Sequence, residues 1–212
     1  MTDDLIARLT ADLRPVPAGR LRLWLIAALA IGAVAAFVIM VPWIGLRRDL
    51  PAAFANPIFW TKFGYTLAFA GFGFWSAERL SRPGGSLRLP ILGAVALVAI
   101  TGIAGIVQML MAPPGDLRRL LIGGTALVCP FYIVALSVPV FVAIVLAMRR
   151  LAPTNLTQAG FAAGLAAGAA ACWVYAFHCG ESGLPFIALW YTTGILATAL
   201  IGAVVGRYLL RW

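Results

Sequence analysis

One histidine and three cysteines occur in the chain, and two of these four residues are neighbours. His178 and Cys179 lie in YAFHCGESGLPF, residues 175–186, with Glu181 two positions beyond the thiol. A thiol, an imidazole and a carboxylate this close could bind a soft metal or tune one another's ionisation. Cys129 could approach Cys179 across the packed helices, and Cys172, seven residues before Cys179 on the same helix face, is an alternative partner for Cys129. Cys129 and Cys179 together could close a disulfide or share a soft metal through two thiolates, and spacing alone does not choose between these. His178 and Glu181 could add a ligand or adjust the thiols. Against all this stands the plain alternative that each cysteine is a small buried apolar residue. No CxxC occurs, so neither a catalytic dithiol nor a zinc ribbon is supported, and the reading is non-enzymatic.

The elements that must position these groups are membrane helices. Hydrophobic residues make up 63% of the chain and charged residues 11%, which is membrane composition. Six segments are long and apolar enough to span a bilayer: 24–46, 57–77, 89–112, 120–148, 158–178 and 184–206. The fourth contains Pro130 and Pro139, which predicts a kink or tilt, with its first turns, LLIGGT, at the interface. The net charge of +9 is dispersed in short basic groups between apolar runs, which marks topology rather than nucleic-acid binding. Arg8, Arg14, Arg20, Arg22, Arg79, Arg82, Arg88, Arg149, Arg150, Arg207 and Arg211 fall on one side. Arg47, Arg48, Lys62, Arg118 and Arg119 fall on the other. The positive-inside rule then places both termini in the cytoplasm. The expected fold is an all-α integral membrane protein with six transmembrane helices, N-in and C-in. A cytoplasmic arm, 1–23, precedes the transmembrane domain, 24–212. Cys179 and Cys129 both fall in the outer half. If the membrane is a bacterial inner membrane, they face an oxidising compartment, and Cys179 should be open to an impermeant thiol reagent.

Other residues have blander readings. Gly160, Gly164 and Gly168 repeat every four residues, and Cys172 continues the series, which is the small-residue stripe of close helix packing, within the chain or between chains. Lys62, a turn or so inside the second span, can snorkel to the outer interface. No Asp or Glu sits in the middle of a span, and Gln108 near the end of the third is the mid-membrane amide. That weakens the competing reading, a small six-span transporter or metal-efflux protein, which needs such groups along its path. In the arm, Leu5, Ile6, Leu9 and Leu13 form one apolar stripe at helical spacing, ended by Pro15 and Pro17. Such an amphipathic helix must cover its stripe with the lipid surface or with a groove on a cytosolic protein.

The segments TDDLIARLTADLRPV, CPFYIVALSVPVF and HCGESGLPFIALWY resemble the NrsF-type membrane proteins, six-span negative regulators of extracytoplasmic-function sigma factors in proteobacteria. The resemblance covers nearly the whole chain. It implies an anti-sigma factor of the inner membrane that sequesters a cognate sigma factor, with no direct nucleic-acid contact. It also implies that two outer-side cysteines are needed to respond to heavy metal or oxidant stress, and those positions fall on Cys129 and Cys179. Cys172 matches no family cysteine. No resident cofactor is implied, only transient soft-metal binding at the two thiols. The HxxxCxxC motif of zinc-type anti-sigma factors is absent, so a sigma factor must be held by the arm and the inner connections near 78–88 and 149–157.

Overall fold

The computed structural model describes residues 18–82, 84–151 and 153–211, and all their regular structure is helical. The arm stripe Leu5, Ile6, Leu9 and Leu13 lies outside the described residues. Helix α1 runs Ala18–Trp43, α2 is the short Leu50–Ala53, α3 is Pro57–Leu80 and α4 is Arg88–Met111. The short α5, Leu117–Leu121, is followed by α6, Cys129–Met148, and α7, Leu156–Tyr175. The last helix, α8, spans Leu184–Leu209 and is wound as a π-helix over Ile187–Tyr191.

Four of these helices are long and apolar enough to cross a membrane: Gly19–Trp43, Arg88–Met111, Cys129–Met148 and Leu184–Leu209. Their outward faces carry exposed aliphatic residues such as Ile31, Ile100, Leu110 and Leu200, which suits a lipid surface. The remaining two long helices, α3 and α7, do not meet that measure of length and apolar composition. Helix α3 carries Lys62, Glu78 and Arg79, while α7 is an Ala/Gly helix buried along most of its length. It packs against α8, α3, α6 and α1, and so forms the centre of the bundle.

The small-residue stripe on α7 acts within the chain. A Cβ on Gly160 would run into α8 at Gly202, and one on Gly164 or Gly168 would run into it at Thr198. On the opposite side Gly73 of α3 meets the backbone at Ala166 in the same way. Such approach lets backbones make the dispersion contacts that drive helix association in lipid.

Two boundaries depart from expectation. Helix α1 begins at Ala18, well ahead of residue 24, so Arg20 and Arg22 belong to it. The expected continuous span 120–148 is broken: turns over 122–128 separate α5 from α6. Gly123 takes φ +54, which stops α5, and Pro130 occupies the first turn of α6, where a missing N–H has no consequence. Only Pro139 lies inside the helix.

Candidate functional site

The 176–183 connection between α7 and α8 is where the separate elements meet. Helix α7 starts under Asn155, whose side chain accepts a hydrogen bond from the Gln158 N–H at 3.0 Å, and ends at Tyr175. Pro185 in the first turn of α8 restarts the chain as helix. Helix α3 is started by Asn56, whose side chain accepts from the Ile58 N–H at 2.9 Å, and this start sets the level of Lys62.

Every singled-out residue of HCGE is engaged by a different neighbour. The Nδ1 of His178 is 2.9 Å from the Gly45 carbonyl, just after α1, so this nitrogen carries the proton and donates. One oxygen of Glu181 accepts from the Gly124 N–H at 2.8 Å and the Thr125 hydroxyl at 3.2 Å, clamping the turn before α6. The Cys179 carbonyl accepts from Lys62 Nζ at 3.1 Å and from Arg47 at 3.4 Å. The Arg47 N–H also donates to the Phe177 carbonyl at 3.1 Å. Gln108 at the end of α4 accepts from the Leu184 N–H at 2.8 Å. Thus α1, α3, α4 and the α5–α6 turn are all tied to one connection.

The three thiols are buried and free: Cys129 and Cys172 are 0% exposed and Cys179 1%. The expected open access to Cys179 is therefore corrected: its side chain is enclosed, while Lys62 and Arg47 bond its backbone carbonyl. The Tyr175 hydroxyl sits beside the Cys129 thiol, and the Tyr191 hydroxyl beside the Cys179 thiol. Apart from those thiols, neither phenol has a hydrogen-bond partner among the described residues. Cys172 belongs to the packed interior of α7. Two thiolates could hold a soft metal, but among the described residues no three His, Cys, Asp or Glu side chains are grouped to complete a site. His178 and Glu181 are committed elsewhere, which narrows their role to holding the connection.

Lys62 is the second correction. It does not reach an interface; it is 1% exposed and faces into the bundle. A snorkelling reading follows from depth alone, whereas the connection covering this position is a tertiary feature. The contacts of Arg47 were equally hidden, since sequence uses it only as a topological charge. Its guanidinium makes two bonds to Asp49, at 2.8 and 2.7 Å, and lies over the Phe59 ring. The hydrogen-bonded guanidinium holds the Asp49 carboxyl down at about 2, and Asp49 raises Arg47 in return.

At the opposite end of α3, Glu78 accepts from Arg22 at 3.2 Å and from Arg82 at 3.3 Å. Arg79 lies over Trp75. These arginines line an open, partly polar recess with Gly84 and Gly85.

The family described as NrsF, negative regulator of sigma F, matches residues 9–212. The chain belongs to the NrsF family. It is 42% identical over 217 residues to the anti-sigma-F factor NrsF of Caulobacter vibrioides, covering all of this chain and 99% of that protein. It is 40% identical over 218 residues to the probable anti-sigma-F factor NrsF of Azospira oryzae, again covering all of this chain and 99% of the relative. No solved structure matches the chain at a significant level.

Proposed function

We propose that this protein is a membrane-embedded anti-sigma factor of the bacterial inner membrane. It holds an extracytoplasmic-function sigma factor on its cytoplasmic face and releases it when Cys129 and Cys179 react with a heavy metal or an oxidant. In this reading α3 and α7 also cross the bilayer, giving six spans with both termini in the cytoplasm. The excess of arginine at the Arg22–Glu78–Arg82 end supports that orientation. The arm, 1–23, with Leu5, Ile6, Leu9 and Leu13, is the sigma-binding element, and the outward helix faces are solvated by lipid.

The observation that carries the mechanism is the convergence of α1, α3, α4 and the α5–α6 turn on the residues 178–184. A metal bridge or disulfide between Cys129 and Cys179 must move atoms that are already fully packed, and every helix hung from the connection feels that shift. A bias of about 5.5 kcal/mol is needed to turn a population from ~1% to ~99% released, which covalent or thiolate–metal bonding can supply. Transport is less well supported. The Thr66, Ser76, Thr101, Ser137 and Thr198 hydroxyls donate to carbonyls of their own helices, so they do not form a continuous polar path.

The test is co-purification of a sigma factor with the detergent-solubilised protein. The sigma factor should co-elute from untreated membranes and be lost after diamide or a soft metal ion. Replacing Leu9 and Leu13 with Asp should release it without stress, because the apolar stripe loses its buried contact. Normal membrane insertion of that variant with sigma factor still bound would remove the arm from the mechanism.

A further inference from the structure

Two openings lie along the seam between α1 and α3, which both rest on α7. The first is the recess of about 350 Å³ at the arginine end, where Arg22 comes from α1 and Glu78, Arg79 and Arg82 from α3. Three guanidinium groups face one carboxylate there, so the recess carries net positive charge. Arg22 and Arg82 each make one contact with Glu78, at 3.2 and 3.3 Å. A guanidinium has several N–H donors, so both arginines keep donors for another anion. The second opening is a slot of about 230 Å³ with apolar walls, formed by residues such as Ile26, Ala30 and Ala33 of α1, Leu67 and Ala70 of α3, and Ala170 of α7. Helical spacing puts the two openings in line. Arg22, Ile26, Ala30 and Ala33 run down one strip of α1, while Arg82, Arg79, Trp75, Gly71 and Leu67 run down one strip of α3. Gly71, between recess and slot, is exposed, and a Cβ there would meet no atom within 4 Å. The strip that joins the basic mouth to the apolar slot is thus unfilled.

We propose that this seam is a binding groove for an anionic phospholipid, with its phosphate at Arg22, Arg79 and Arg82 and one acyl chain laid into the slot. This rests on the reading of the chain as a membrane-spanning bundle whose arginine end lies at the cytoplasmic leaflet. The dimensions agree. From Arg22 to Ala33 a helix rises ~16 Å, and the hydrocarbon of one leaflet is ~15 Å deep. Trp75 lines the recess with Arg79 over its ring, and is exposed where an interfacial indole belongs. Charge and shape together select the occupant. A free phosphate or an acidic protein segment satisfies the arginines and leaves the apolar slot empty. A neutral lipid fills the slot and leaves the guanidinium groups without an anion. A second copy of the chain, inserted in the same sense, brings a like-charged end to the same level. An anionic lipid meets both halves of the groove, and it bridges α1 and α3 at the end opposite the thiols.

The experiment titrates the full-length protein, in a non-ionic detergent, with palmitoyl-oleoyl phosphatidylglycerol or with phosphatidylcholine of the same chains. Bound lipid is counted by native mass spectrometry. Phosphatidylglycerol should bind roughly tenfold more tightly, from the attraction of the arginines for its net charge. Equal affinities mean ordinary annular lipid and overturn the proposal. The double variant Arg22→Gln, Arg82→Gln should lose that preference. Gly71→Trp, placed where a side chain has open space, should plug the groove and weaken both lipids severalfold while the arginines remain. A preference kept by the arginine variant, or parental binding of phosphatidylglycerol by Gly71→Trp, overturns the proposal. Inorganic phosphate or a polyglutamate peptide that binds as tightly as phosphatidylglycerol overturns it too, since the recess would then serve soluble anions or an acidic protein segment. Failure of the underlying membrane reading shows separately, as absence of the protein from the membrane fraction or as a C-terminal reporter active in the periplasm.

Discussion

The two ends of α3 carry opposite kinds of electrostatics. At the thiol end, Lys62 and Cys179 are each 1% exposed, and their contacts join elements far apart in the chain. At the arginine end, Arg22 and Arg82 are 63% and 48% exposed, and Glu78 at 13% lies between them. Buried groups lose solvation that only a specific partner replaces, so the thiol end tolerates little change. Exposed pairs exchange with water and counterions at little cost, so the arginine end can trade one partner for another. Under the proposed function, a detector that holds one geometry and a surface that releases a protein would have these different needs, and α3 joins the two ends.

The sharpest way to break this comparison is at the sulfurs. Cys129→Ser or Cys179→Ser should each abolish stress-induced release of the sigma factor, and the double variant should match either single one. Cys172→Ser, within the packed stripe of α7, should keep most of the response. Reporter expression under diamide or metal measures all four, and a normal response in the double variant would end the assignment of a paired switch.

Next is the clamp between the connection and the α5–α6 turn. Glu181→Ala leaves the Gly124 N–H and the Thr125 hydroxyl without their acceptor. A loss of about 1–2 kcal/mol is expected, seen as a lower melting temperature of the purified protein. At the other end, Glu78→Gln removes two exposed ion pairs and should cost less than about 1 kcal/mol, shrinking further in high salt. If Glu78→Gln proves the more destabilising of the two, the contrast between the ends is wrong.

The smallest effect concerns acid. Asp49 titrates at about 2 instead of 3.8 because Arg47 donates to its carboxylate. A carboxyl lowered on folding contributes stability that is complete above its unfolded value and is lost as pH falls through its folded one. The Arg47–Asp49 contribution should therefore be constant near neutrality and decline only between 3.8 and about 2. Asp49→Asn should flatten that part of a stability curve and leave the neutral region almost unchanged.

Apolar runs and small-residue spacing were enough to foresee long helices at the six segments and the close packing of α7, because both follow from local composition. The break at 122–128 was partly legible as GG followed by CP, yet the length of the apolar run argued for one helix. The clustering of chemistry near 178–181 could also be read, since His178, Cys179 and Glu181 are adjacent in the chain. Their partners could not. Gly45, Arg47, Lys62, Gln108 and Gly124 come from four other parts of the sequence, and several of the bonds use backbone atoms that every residue possesses. Sequence by itself determined that this chain is helical and apolar, with a thiol and an imidazole side by side at a helix end. Only the tertiary structure decided that the thiol is enclosed and that Lys62 is buried against the Cys179 carbonyl, because burial depends on which connection closes over a helix, and no local pattern encodes that.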